Sequence, residues 1–357
     1  MTGVEGAGPV RDEDAFDVPA AVGWVRRHAD LPAGEPEVRQ FAGGASNLTY
    51  LLRFPGEDLI LRRPPTGAKA KSAHDMRREF TLQSRLAPVF SYVAPMVAFC
   101  DDEQVIGSEF YVMRRLEGVI LRRDLPPGLE LSPEAARRLC LRVLDVLVEL
   151  HSVDPAAAGL AEIGRGRGYV GRQVAGWSER YRRARTDNVG DFEKVMGWLA
   201  DHQPDDVATC VIHNDYRFDN LVLAPTGSEA HPLRVAGVLD WEMATLGDPL
   251  MDLGGAMAYW IQADDDPEYL ALRRQPTHVP GMLTREEVVA AYTERMGLHV
   301  MPEQWRFYEV FGLFRLAVIA QQIYYRYHMG QTTNEEYARF LPVVRYLDTR
   351  CARLVES

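Results

Sequence analysis

Cys210-Val211-Ile212-His213-Asn214-Asp215-Tyr216-Arg217-Phe218-Asp219-Asn220-Leu221-Val222-Leu223 is the stretch on which the fold turns. Apolar runs flank a polar octet, which predicts a loop held between two buried strands. Such a loop keeps Asp215 and Asn220 close in space. A carboxylate beside an amide oxygen suits a hydroxyl nucleophile at one end and a hard cation at the other. Further on, Val235-Ala236-Gly237-Val238-Leu239-Asp240-Trp241-Glu242 is again an apolar strand ending in a carboxylate. A return through the turn Pro225–Ser228 would bring Asp240 back beside Asn220.

Working outward, the chain has two textures. Residues 1–15 are Gly- and charge-rich and are expected to form a disordered tail. Asp17 is placed to cap a helix running to about His28. Thr49–Phe54 and Leu59–Arg63 read as a hairpin, followed by a helix near Asp75–Leu86 and a strand pair at Val93–Cys100 and Ser108–Met113. After Arg114-Arg115-Leu116-Glu117-Gly118 helices dominate. Ser132 and Pro133 open one, with Leu139, Val143, Leu147 and Leu150 as its buried stripe. Further helices are expected over 172–185, 190–201, from the capping box at Thr284, and over 302–328 and 334–354. Only residues 208–240 interrupt them with short strands. The division is a 16–115 N-lobe, β-rich and nucleotide-binding, and a 116–357 helical C-lobe with the catalytic loop and substrate pocket.

Bulk properties narrow the function. The 357 residues are 46% hydrophobic and 25% charged, with a formal net charge of −11 and a pI near 5.4. Nucleic acid and anionic membrane need a basic face, so neither is an expected partner. Cys100, Cys140, Cys210 and Cys351 are far apart and form no CxxC pair, which fits a reducing compartment. The N-terminal residues lack an apolar h-region, and no apolar run reaches the ~18 residues of a membrane helix. A cytoplasmic location is expected.

His213-x-Asp215-x4-Asn220 followed by Leu239-Asp240 resembles the catalytic loop and metal-binding strand of the aminoglycoside phosphotransferase family, protein-kinase-like enzymes that act on small molecules. More narrowly, Gly43-Gly44-Ala45-Ser46-Asn47-Leu48-Thr49-Tyr50, Leu61-Arg62-Arg63-Pro64-Pro65 and Arg172-Gln173-Val174-x-x-Trp177 resemble the branch related to the kinase-like domain fused to some acyl-CoA dehydrogenases. The resemblance implies an α+β, protein-kinase-like bilobal fold with a β-rich N-lobe and a mainly helical C-lobe. It makes Asp215 the catalytic base and gives Asn220 and Asp240 the role of holding Mg2+ on the phosphates of ATP. His213 braces the loop, and Asp252 bonds the loop backbone from a helix start.

On the nucleotide side, alternation along β structure puts Ile60 and Arg62 on one face. Arg62 matches the family's phosphate-gripping position, where the better-known antibiotic kinases carry lysine. Ile60 would then pack on adenine. Glu79 lies on the apolar stripe of its helix and requires a cation, for which Arg62 is the natural partner. The adjacent Arg63 is the competing choice. Ser46 and Asn47 sit where a phosphate-covering loop is expected, and backbone groups around Met113–Leu116 where the adenine edge is bound.

The expected activity is therefore transfer of the γ-phosphate of ATP to a hydroxyl of a small molecule, either an aminoglycoside-type antibiotic or a hydroxyacyl-CoA-like metabolite. The alternative is a catalytically inactive nucleotide-binding pseudokinase scaffold. Aromatic residues such as Tyr259 and Trp260 offer a partly apolar acceptor pocket, whereas Asp264-Asp265-Asp266 and Glu268 offer contacts to amines.

Overall fold

The computed structural model describes residues 6–41, 47–65, 75–228 and 231–356. It divides into two compact units. The first comprises Met1–Glu117, Ala158–Leu160 and Ala236–Glu242, and the second Gly118–Ala157, Ala161–Val235 and Met243–Ser357.

In the first unit the elements run β1 (Ala7–Gly8), α1 (Val18–His28), β2 (Glu37–Phe41), β3 (Leu48–Phe54), β4 (Glu57–Arg63), α2 (Met76–Leu86), β5 (Met96–Cys100) and β6 (Phe110–Arg114). The strands make one sheet of order β1-β2-β3-β4-β6-β5 with antiparallel neighbours. The β3–β4 hairpin turns on Pro55-Gly56, with Gly56 at φ 91°, a conformation that costs glycine little. Alternation sorts the side chains. Tyr50, Leu52, Leu59, Leu61 and Val112 pack with Val22 and Val25 of α1. Leu51, Ile60, Tyr111 and Met113 pack on the opposite face with Met76 of α2. Fully burying one such side chain contributes about 1.5–3 kcal/mol, so both faces are strongly fixed. Arg62 therefore emerges on the α2 face, two residues beyond Ile60.

The tail expectation needs correction. Residues 6–15 are ordered: Ala7 and Gly8 pair with Phe41 and Gln40, and Asp14 is buried with its carboxylate bonded to Arg11 and Gln40. Composition hid this because the ordering comes from polar anchors and a distant strand. Residues 1–5 lie outside the described residues. The strand β2 also went unread, since Glu37-Val38-Arg39-Gln40-Phe41 buries only Gln40 fully.

The second unit carries α3 (Pro133–His151), α4 (Tyr169–Ala184), α5 (Glu193–Asp201), β7 (Cys210–Ile212), β8 (Leu221–Pro225), β9 (Leu233–Val238, passing into the first unit at Ala236), β10 (Thr245–Gly247), α6 (Pro249–Met257), α7 (Pro267–Ala271), α8 (Arg285–Met296), α9 (Pro302–His328) and α10 (Phe340–Glu356). β8 pairs with β9, and β7 pairs antiparallel with β10. Caps start the helices where the sequence placed them: Ser132 accepts from Ala135 N–H, and Thr284 and Glu287 form a complete capping box. The expected 334–354 helix is divided, with a 3-10 turn over Glu335–Arg339 ahead of α10. Likewise α5 begins at Glu193, three residues later than expected.

Two features of this unit set the loop that follows β7. First, α6 crosses α9 at glycines: a Cβ added to Gly312 would lie 2.1 Å from the Gly254 carbonyl oxygen. Second, Asp252 in the first turn of α6 is buried and accepts the backbone N–H of His213 at 2.8 Å and of Asn214 at 2.7 Å. His151, at the end of α3, places Nε2 3.1 Å from the same carboxylate, and its Nδ1 is 2.6 Å from the Tyr292 hydroxyl on α8. Burial works to raise the Asp252 pKa, but the His151 bond and charge and the loop N–H groups outweigh it and hold the carboxyl below its ordinary value.

Gly312→Ala should cost about 1–3 kcal/mol through overpacking, read as a clear fall in the thermal midpoint; an unchanged midpoint would contradict the close helix crossing. Asp252→Asn should cost about 3–5 kcal/mol at neutral pH. A carboxyl with a depressed folded pKa stabilises above its unfolded pKa, and the benefit is lost as pH falls through the folded value. Urea denaturation of wild type and Asp252→Asn should therefore converge on acidification below about pH 4, whereas a gap independent of pH would refute the assignment.

Candidate active site

The polar octet of the second unit is a loop between β7 and β8 that closes with one 3-10 turn, Phe218–Asn220. His213 is fully buried, and its Nδ1 accepts the Asp215 backbone N–H at 3.2 Å. Asn214 adopts φ 66°, a left-handed conformation that a non-glycine residue holds only under constraint. The constraint is visible. Its N–H is bound by Asp252, its carbonyl accepts from Arg315 at 2.7 Å, its Oδ1 accepts from the Tyr169 hydroxyl at 3.0 Å, and its Nδ2 donates to the Met243 carbonyl at 3.0 Å.

Asp215 follows this anchored residue and reaches the loop surface with a side chain 21% exposed. Its Oδ2 accepts from Asn220 Nδ2 at 2.8 Å and from Arg217 Nη2 at 3.0 Å. The same Asn220 amide also bonds the Asp215 carbonyl at 2.9 Å. Arg217 spans two carboxylates, with Nη1 3.3 Å from Asp219, and its guanidinium lies 4.4 Å from the centre of the Tyr259 ring. Burial pushes the Asp219 carboxyl up, against the pull of Arg217. The result is a partly exposed carboxylate aimed by a planar cation and an amide.

In the first unit, Arg62 of β4 and Glu79 of α2 form a buried pair with Nη1–Oε1 at 2.5 Å. Tyr111 donates its hydroxyl to the same Glu79 oxygen at 2.8 Å. Glu79 is 2% exposed, and burial pushes its pKa up while the Arg62 charge and the Tyr111 bond pull it back. The other guanidinium nitrogen, Nη2, lies 3.4 Å from Asp240 Oδ1. Asp240 itself sits at φ 65°, a second strained non-glycine residue, and its side chain is 38% exposed. Arg62 is thus held between one buried and one exposed carboxylate.

The pleat sends the neighbouring arginines to opposite faces of the sheet. Arg63 points to the α1 face, where it bonds the Tyr50 hydroxyl and the Asp14 carbonyl and is 3% exposed. It is a structural cation. Ile60 is buried beside Leu51 and Met113. Asn47 is buried too, and its Nδ2 donates to Glu242 Oε2 at 3.2 Å. Ser46, with Gly43, Gly44 and Ala45, lies outside the described residues.

Several contributors were not anticipated. Arg217 was in plain view inside the octet, and a cation two residues beyond a loop carboxylate is a readable signal. His151 continues the α3 stripe from Val143 and Leu147, so a histidine at a buried position was its signal. Glu242, Tyr111 and Arg315 carry no such mark, because their roles come from tertiary neighbours.

A family model described as the phosphotransferase enzyme family (APH) matches residues 37–288. Mouse acyl-CoA dehydrogenase family member 11 is 34% identical over 92% of the chain, and mouse family member 10 is 34% identical over 93%. The chain spans only 42% and 30% of those two proteins. An aminoglycoside-phosphotransferase-type structure from Ralstonia eutropha is 31% identical, covers 96% of this chain and 99% of its own, and superposes with a TM-score of 0.80. The fold is accordingly the kinase-like bilobal α+β arrangement, with a six-stranded antiparallel sheet followed by a helical region. The chain belongs to the APH phosphotransferase enzyme family.

Proposed function

We propose that this protein is a cytoplasmic, magnesium-dependent kinase that moves the γ-phosphate of ATP to a hydroxyl of a small molecule. The observation that carries the reading is the Asp215 carboxylate, partly exposed and aimed by Arg217 and Asn220 from an anchored loop.

The residues present fit both nucleotide and metal. Arg62 has a buried Nε with no hydrogen-bond partner among the described residues, and a planar guanidinium braced by Glu79 suits bidentate phosphate. Ile60, Asn47 and Ser46 complete the nucleotide side in this reading, with Ile60 against adenine. Asn220 commits its amide nitrogen to Asp215, so its Oδ1 is the end available to a cation, and the exposed Asp240 carboxylate supplies a second hard oxygen. Magnesium keeps most of its shell as water and phosphate and requires no more protein ligands than these. When bound it would neutralise charge on the phosphate oxygens.

The chain's own part in the chemistry is positional. The acceptor hydroxyl donates to Asp215; as its oxygen bonds to the γ-phosphorus, the bridging bond to the β-phosphate breaks and ADP departs. The hydroxyl proton passes to Asp215. His213 and Asp252 hold the loop backbone so that the base stays in line. The mouse relatives are named as acyl-CoA dehydrogenases, which makes a hydroxylated acyl thioester the first acceptor class to test and an aminoglycoside the second.

ADP release in the presence of magnesium and an acceptor panel tests the reading. Asp215→Asn should lower kcat by about 10²–10⁴-fold with ATP affinity retained, and full activity in that variant would refute the base. Arg62→Gln should weaken ATP binding by about 1.5–3 kcal/mol, measured by nucleotide titration; unchanged affinity would remove Arg62 from the phosphate grip.

A further inference from the structure

Beside the Asp215 loop, a group of cations has too few acceptors. Arg217 holds Asp215 and Asp219, as described, and Arg122 adds its charge to Asp219. Next to it, Arg273 follows α7 and Arg123 precedes α3. These two guanidinium groups share one carboxylate, Asp124, at 3.3 Å and 3.9 Å, and Arg273 Nη1 also donates to the Leu270 carbonyl at 3.3 Å. That carboxylate is 67% exposed, so water screens it and it neutralises its neighbours weakly. His278 lies in the same field: burial and the charges of Arg273 and Arg123 push its imidazole pKa down, against the pull of Asp124.

The buried polar atoms here are also unmatched. Arg273 Nε and His278 Nδ1 have no hydrogen-bond partner among the described residues. A buried polar atom left unpaired costs about 1–3 kcal/mol, and the Arg273 Nε–H, which can only donate, requires an explanation. In a chain whose formal charge is −11, a local excess of guanidinium groups is not a solvated average surface. The rival handle is spent elsewhere. Asp265 pairs with Arg285 at 2.6 Å and with Arg350 at 3.4 Å, Asp266 caps α7 and accepts from Tyr346, and Asp264 accepts from Gln262. The acidic run is therefore structural in the main, which weakens the case for an amine-bearing acceptor.

We propose that Arg273 and Arg123 form an anion-binding subsite that recognises a phosphate or carboxylate on the acceptor, away from the hydroxyl that is phosphorylated. The proposal rests on the kinase reading for the word acceptor, but the subsite itself is a binding claim. Arg217 links the two parts: it touches the base on one side and, through Asp219, the cation cluster on the other. An acceptor with a hydroxyl at one end and an anion at the other would be gripped at the far end and presented to Asp215.

Two arms test it. In the first, without nucleotide, thermal unfolding is followed with inorganic phosphate and with acetate on wild type, Arg62→Gln, Arg273→Gln and Arg123→Gln. Anion-dependent stabilisation should survive Arg62→Gln and be lost or weakened in the other two; Arg123, 58% exposed, guards against misfolding of the more enclosed variant. Stabilisation that vanishes with Arg62→Gln, or persists undiminished in both subsite variants, overturns the proposal. In the second arm, a hydroxyalkyl phosphate, a hydroxyalkanoate and a matched neutral diol are compared as acceptors. An anionic acceptor should exceed the diol by about tenfold or more in kcat/KM, with the advantage lost through KM in Arg123→Gln, and the better of the two anions identifies the group recognised. A diol used equally well overturns the subsite. If wild type phosphorylates none of them, the first arm, which needs no phosphoryl transfer, still decides the subsite.

Discussion

The buried carboxylate of Asp252 is the constraint on which the loop after β7 depends. An ionised carboxylate out of water costs several kcal/mol unless its lone pairs are filled, and here the fillers are the N–H groups of His213 and Asn214 and the ring of His151. Satisfying Asp252 therefore dictates the backbone path of the loop. That path forces Asn214 into a left-handed conformation, which turns the chain so that Asp215 leaves the core. The strain at Asn214 is tolerated because Tyr169, Arg315 and Met243 hold its remaining polar groups. Tertiary bonds from α4, α6 and α9 thus converge on one residue.

The first unit repeats the logic with the signs arranged differently. Glu79 is buried and needs a cation; Arg62 supplies it and is in turn held beside Asp240. Arginine suits this place because its planar fork reaches two carboxylates at once. The neighbouring Arg63, one step along the pleat, faces Tyr50 and Asp14 and does purely structural work. Period-two geometry separates two adjacent arginines into different roles.

Much of this was legible in the sequence because it is local. Alternation in Leu59-Ile60-Leu61-Arg62 fixed the shared face of Ile60 and Arg62, and caps at Asp17, Asp75, Ser132 and Thr284 start helices where they were read. The spacing of Asp215 and Asn220 correctly implied their contact. What was not legible is non-local. β1 and β10 are strands of two and three residues that exist only through their partners. The ordering of residues 6–15 depends on Asp14, Gln40 and Arg63 meeting across the fold. The Tyr292–His151–Asp252 chain joins three helices distant in sequence, and no window along the chain contains it.

The proposed reading gives Asn220 and Asp240 each a part in holding the divalent ion that accompanies the nucleotide. Electron paramagnetic resonance of Mn2+ titrated with a non-hydrolysable ATP analogue addresses it directly. Wild type should bind the ion in a nucleotide-dependent manner, and Asn220→Ala and Asp240→Ala should each weaken that binding without altering the nucleotide-free baseline. Nucleotide-dependent Mn2+ affinity unchanged by either substitution would contradict the claim.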